Sequence, residues 1–198
     1  MNDALVASVL RKSRESAETT ARFFEENGAA IVACAGALRE VFDRGGRLLV
    51  AGNGGSSCDA QHLALEHLHP VIAKRPALPA IALGQSAPFL SAVANDRDAS
   101  LALGEEVRLL ARPGDALVAI STSGASSNVV RALEIARSLG LLRVGLTGKD
   151  GGRLVELCDH IFVVGSYGIH RIQETHAVLI HVLWDLVHVM RGEDDVTG

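Results

Sequence analysis

Hydrophobic residues along the chain change rhythm near residue 44. Before that point they recur at a loose three-to-four spacing, Leu5, Val6 and Val9, then Ala17, Ala21 and Phe24, the period of a helix burying one stripe. This predicts helices over 3–26 and 29–43, with Asn27-Gly28 as the break and Gly45-Gly46 ending the second. So thin a stripe predicts packing against another subunit as well as against the chain's own domain. From residue 47 onward, short β-rich runs alternate with helical periodicity. Strands are predicted over 47–51, 80–83, 116–121, 142–147 and 160–164. Helices are predicted over 57–68, 87–94, 101–111, 127–139, 153–158 and 172–190, and the acidic tail 192–198 is expected to fray. Runs such as Leu117-Val118-Ala119-Ile120 show no apolar–polar alternation, as expected for strands covered on both faces. The βα rhythm therefore predicts an α/β fold: a doubly wound, five-stranded parallel sheet flanked by helices. The chain reads as one domain over 1–198, with a helical extension at 1–44.

Composition narrows the function classes. A chain of 198 residues that is 48% hydrophobic can bury one proper core, and twenty glycines against 4% aromatics indicate tight turns and aliphatic packing. A net charge of −4, with no basic run, argues against nucleic acid as a partner. No apolar run approaches the ~20 residues needed to cross a bilayer, and the opening Met1-Asn2-Asp3-Ala4 does not read as a signal peptide. Three widely spaced cysteines, Cys34, Cys58 and Cys158, read as reduced thiols, so a cytoplasmic protein is expected.

Two of the predicted strand-to-helix turns carry candidate chemistry. The first is Gly52-Asn53-Gly54-Gly55-Ser56-Ser57, and the helix after it places His62 and Glu66 four positions apart on one face. The turn is no Walker loop, because no Gly-Lys-Ser/Thr follows, and Ser57 replaces the third glycine of a dinucleotide fingerprint. The second is Ser121-Thr122-Ser123-Gly124-Ala125-Ser126-Ser127, five hydroxyls around one glycine. Hydroxyls and backbone amides at a helix start bind a phosphate monoester without a lysine. Serines also cap helices, but two such loops at equivalent places in one sheet favour the anion site. An anion cradle beside a His/Glu pair points to an enzyme acting on a small phosphorylated molecule.

The motifs Ala51-Gly52-Asn53-Gly54-Gly55-Ser56, Asp59-Ala60-Gln61-His62, Ala94-Asn95-Asp96, Ser121-Thr122-Ser123-Gly124, Thr147-Gly148-Lys149-Asp150-Gly151-Gly152 and Arg171-Ile172-Gln173-Glu174-Thr175-His176 together resemble the sugar isomerase (SIS) domain family. Within it the chain resembles the branch that isomerises sedoheptulose 7-phosphate, and the likeness covers nearly its whole length. The resemblance implies a flavodoxin-like SIS domain whose Ser121, Thr122, Ser123 and Ser126 hold the phosphate, while Asn53, Gly54, Gly55, Ser56, Asp96 and Gln173 meet the sugar. It implies Glu66 as the base over C1–C2 and His181 as the acid/base on the oxygens of an enediol mechanism. It also implies one Zn²⁺ per subunit on His62, Glu66, Gln173 and His181, and a homotetramer with sites at subunit boundaries. A zinc-bound Glu66 is a weaker base, so either it detaches during turnover or the metal is mainly structural. Gln173 and His181 are eight residues apart, about 12 Å along a helix, so they meet one ion only if Gln173 is unwound or subunits contribute separately. His176 reads as a supporting residue beside Gln173, while His67, His69, His160 and His188 read as solvated or capping. Two positions depart from the branch: Pro70 stands where an arginine is usual and His170 where an aspartate is usual. Competing readings are a non-catalytic SIS scaffold that binds a replication initiator, and a phosphosugar sensor. The scaffold members lack the residues matching Glu66 and His181.

Overall fold

A computed structural model describes residues 2–72 and 74–195. Five strands, β1 (Leu48–Gly52), β2 (Ala80–Ala82), β3 (Ala116–Ser121), β4 (Leu142–Gly148) and β5 (His160–Val164), form one parallel sheet in the order β2-β1-β3-β4-β5. Alternate residues of each strand feed two different cores, as the two-residue pleat requires. Leu48, Val50, Val118, Ile120 and Leu146 pack beneath α1 (Asn2–Asp43), α2 (Gly55–Leu68) and α6 (Ile169–Val189). Leu49, Ala51, Leu117 and Ala119 pack on the other face beneath α4 (Ala102–Leu110) and α5 (Ser127–Ser138). The short α3 (Ala87–Asp96) precedes α4 through a 3-10 turn at Ala99–Leu101.

Every predicted strand lies within a residue or two of its observed place. Four other differences stand out. Helix α1 runs unbroken through Asn27-Gly28. Asn27 Nδ2 donates back to the Phe23 carbonyl at 2.8 Å, and buried Phe23, Ile31, Cys34 and Leu38 straddle the site at helical spacing. That packing outweighs the ~1 kcal/mol that a mid-helix glycine costs. The predicted helix 153–158 is a 3-10 turn at Gly152–Glu156, and α6 starts at Ile169, three residues early. The tail is not loose where it is described: Glu193 and Asp194 are held by Arg75, whereas 196–198 lie outside the described residues.

The register sets Gly52 beside Ile120, so the loops leaving β1 and β3 are neighbours at the carboxyl edge of the sheet. At the opposite edge the Arg47 amide donates to Asp115 Oδ1 at 2.8 Å, and its guanidinium pairs with Oδ2 at 2.7 Å. Gly28 is exposed and a methyl group there would meet nothing within 4 Å. Gly28→Ala is therefore expected to stabilise the fold by about 0.5–1 kcal/mol, read as a rise in the urea midpoint at unchanged slope.

Candidate active site

The hydroxyl loop between β3 and α5 is folded tightly on itself. Gly124, at φ +63°, presses against the 150–152 turn so closely that a Cβ would lie 1.9 Å from the Gly151 carbonyl oxygen. Ser121 and Ser126 hydroxyls meet at 3.0 Å, and Ala125 N–H donates to Ser123 Oγ at 3.3 Å. Ser126 therefore sits at the N-cap of α5 without capping it, and the first amides of the helix have no side-chain partner from that residue. Thr122 and Ser123 are half-buried at the same mouth. Next door, Asn53 and Asn128 exchange two hydrogen bonds of 2.8 Å and tie the two loops together. Asn53, Gly54, Ser57 and Asn128 line a cavity of about 560 Å³ walled on its far side by α3 and α4. Such a volume suits a small phosphorylated ligand.

Helix α2 leads away from this mouth to a second group. Glu66 Oε1 lies 3.3 Å from His62 Nε2 and 4.0 Å from His181 Nε2, and the two imidazoles meet edge to face at 4.7 Å. Their three ligand atoms all fall within 4.8 Å of one another. Glu66 is 15% exposed, His62 33% and His181 56%, so the group opens outward through His181. One turn before His62, Asp59 has an oxygen shut from solvent and without a hydrogen-bond partner. Burial pushes its carboxyl up to about 6, opposed by the nearby His62.

Not every residue expected at one point converges within a single chain. Gln173 lies inside the regular part of α6, and its amide rests over Gly55, where a Cβ would come within 2.2 Å of Nε2. Gly55 precedes His62 by seven residues, about 10 Å along α2. Gln173 thus sits in a wound part of α6 and is not grouped with His62, Glu66 and His181 within this chain. Asp96 ends α3, is exposed, and accepts from Asn95 Nδ2 at 2.7 Å, away from the cavity wall. Ser56 is buried behind the turn at 4% exposure. His67 and His188, expected as solvated or capping residues, are both fully buried. His67 Nδ1 bonds the Leu63 carbonyl and its ring stacks on Phe42, while His188 Nδ1 meets Glu193 Oε2 at 2.8 Å. Local sequence gave no sign of either partner. Asn128 was also missed, although a polar residue just after the hydroxyl loop was a usable signal.

The profile of the SIS domain matches residues 13–148. The chain belongs to the SIS domain family. Among curated relatives, a phosphoheptose isomerase of Desulfovibrio desulfuricans is 42% identical over 186 residues, spanning 94% of this chain and 89% of that protein. One from Thermodesulfovibrio yellowstonii is 41% identical over 90% of this chain and 89% of its own. Among solved structures, phosphoheptose isomerase from Neisseria gonorrhoeae superposes with a TM-score of 0.87 at 33% identity, covering 92% of this chain and 98% of that one. This SIS domain thus sits among relatives carrying one activity, at identities well above those that show fold alone.

Burial also sets how this SIS domain responds to acid. His67 and His176 are both held down to about 4, chiefly because burial disfavours the charged ring. His176 Nε2 meets the Thr147 carbonyl at 3.1 Å, which places that ring at the end of β4. A histidine with a lowered folded-state pKa stays neutral while its unfolded counterpart takes up a proton. Stability is therefore full above about pH 6.5 and is lost as pH falls towards about 4, by roughly 3 kcal/mol per histidine. Urea unfolding at stepped pH is expected to show this decline, and a His176→Gln variant that remains folded should flatten part of it.

Proposed function

We propose that the chain interconverts sedoheptulose 7-phosphate and D-glycero-D-manno-heptose 7-phosphate by proton transfer through an enediol. The observation that carries this reading is Glu66 Oε1 standing between two imidazoles at 3.3 and 4.0 Å. Aldose–ketose exchange needs a base for the C1 or C2 proton and a second group for the oxygens. Starting from the ketose, Glu66 takes the proton from C1 while His181 donates one to O2. Glu66 then returns its proton to C2, and His181 recovers one from O1. No proton is gained or lost overall. Glu66 Oε2 makes no hydrogen bond among the described residues, which leaves that oxygen available for the substrate carbon. Glu66→Gln and His181→Gln are each expected to lower kcat by about 10²–10⁴-fold, followed by NMR conversion of sedoheptulose 7-phosphate. A wild-type protein that converts none of it rejects the reading.

Two imidazoles and one carboxylate fit Zn²⁺, with a coordination position left for substrate or a fourth ligand. His62, Glu66 and His181 would hold the ion, with Gln173 of a neighbouring copy as the fourth. When bound, Zn²⁺ supplies Lewis-acid polarisation of the sugar carbonyl. Chelator treatment is expected to lower both activity and melting temperature, and added Zn²⁺ to restore them.

The length of α2 bears on the assembly. Glu66 follows Gly55 by eleven residues, about 16 Å along the axis. An extended heptulose phosphate spans only about 9 Å from phosphorus to C2, at about 1.25 Å of projected length per bond. This length supports a reading in which the phosphate loop of one subunit serves the Glu66–His181 pair of another, in a homotetramer. Exposed Leu5, Val6, Val9 and Leu10 on α1 supply apolar surface for that packing. Mixing inactive Glu66→Gln subunits with inactive Ser123→Ala subunits under exchange is expected to regenerate activity. No recovery, despite mixed tetramers in native mass spectra, would place each site within one chain. No helix among the described residues is long and apolar enough to cross a membrane.

A further inference from the structure

Glu66 lies in the last turn of α2, which ends at Leu68, so its position depends on how the chain beyond is fastened. The fastening is Arg75, in the loop before β2, with a side chain only 2% exposed. Its Nη2 lies 2.6 Å from Asp185 Oδ1 and donates to the Asp194 carbonyl at 2.6 Å. Its Nε is 3.7 Å from Glu193 Oε2, and its guanidinium carbon sits 4.7 Å over the Trp184 ring. Trp184 and Asp185 follow His181 on α6 by three and four residues, one helical turn. Glu193 is itself gripped by buried His188, whose ring packs edge to face on Trp184 at 5.1 Å. Lys74, immediately before Arg75, takes φ +80°, a conformation that a non-glycine residue keeps only when its surroundings hold it there.

These contacts close a ring. It runs from Glu66 along the loop to Arg75, across to Asp185 and Trp184, back one turn to His181, and over 4.0 Å to Glu66. Inside the ring is a cavity of about 400 Å³ onto which Glu66 and His181 open, walled by Val71, Ile72, Trp184 and Asp185. We propose that Arg75 is a positioning residue for the acid–base pair: it sets the spacing of Glu66 and His181 by binding the α2–β2 loop to α6 and to Glu193 and Asp194. This rests on the isomerase reading given above. The site needs arginine in particular. A guanidinium can stack on Trp184 and reach three oxygens at once, whereas a lysine ammonium offers one point charge.

The test compares steady-state kinetics and zinc affinity, by chelator competition, in full-length variants shown to be folded by circular dichroism. Arg75→Met is expected to lower kcat about 10–100-fold with KM for sedoheptulose 7-phosphate within about threefold, because misplacement harms the chemical step while other loops hold the phosphate. Zinc affinity should fall in the same variant, and Arg75→Lys should recover part of both losses. Arg47→Met breaks another shielded arginine–aspartate pair, at the far edge of the sheet. It should lower melting temperature and leave kcat at 25 °C unchanged. Wild-type kcat and zinc affinity in folded Arg75→Met would overturn the proposal, as would an equal loss of kcat in Arg47→Met. Should Arg75→Met fail to fold, Arg75→Lys and Asp185→Asn decide by the same criteria. A wild-type protein inert towards the sugar rejects the isomerase reading instead, and the zinc comparison then still decides whether Arg75 sets the spacing.

Discussion

The register of α6 against α2 is the constraint on which the chemistry depends. The two helices run side by side, and they meet at Gly55, where the Gln173 amide occupies the space a Cβ would need. That close approach sets how far α6 can slide along α2. With the register set there, His181 arrives opposite His62 and Glu66 further along the same seam. A larger residue at 55 would force the helices apart or shift them, and every distance in the acid–base group would change with it. The stripe of α2 that faces α6 carries Gly55, Asp59, His62 and Glu66, spaced by three and four, so one helix face holds both a packing contact and the titratable groups.

The sheet beneath supplies stiffness of a different kind. Residues 48–51 of β1 and 116–120 of β3 are buried on both faces and made of aliphatic side chains, which interlock without polar atoms to satisfy. The two loops at the carboxyl edge leave adjacent strands, β1 and β3, and are joined by the paired amides of Asn53 and Asn128. Polar contacts at the opposite edge, between Arg47 and Asp115, hold the strand starts in place. Rigid strands with mobile chemistry confined to their carboxyl ends are the usual division of labour in doubly wound folds.

Much of this could be read from residues in order. Aliphatic runs without alternation located all five strands, because burial on both faces leaves a signal in consecutive positions. His62 and Glu66 were legible because their spacing is a property of one helix. Long-range partnerships left no such trace. Nothing near His67 or His188 in the chain announces that both rings are enclosed, since Phe42, Trp184 and Glu193 reach them from other elements. Arg75 stands just before Pro76 in the stretch leading to β2, and only the fold reveals Trp184 and Asp185 beside it. The Asn27-Gly28 pair misled for the opposite reason: its local preference is genuine, but buried side chains on either side override it.

The hydroxyl loop at residues 121–127 contains no lysine, arginine or histidine. Its donors are amide and alcohol groups, which keep their protons throughout the physiological range. The loop's own donors therefore add no ionisation to the proposed docking of a phosphate. A phosphate monoester sheds its second proton near pH 6. A sugar phosphate held there, as proposed, would carry its own titration into the cleft and meet the same set of dipoles as monoanion or dianion.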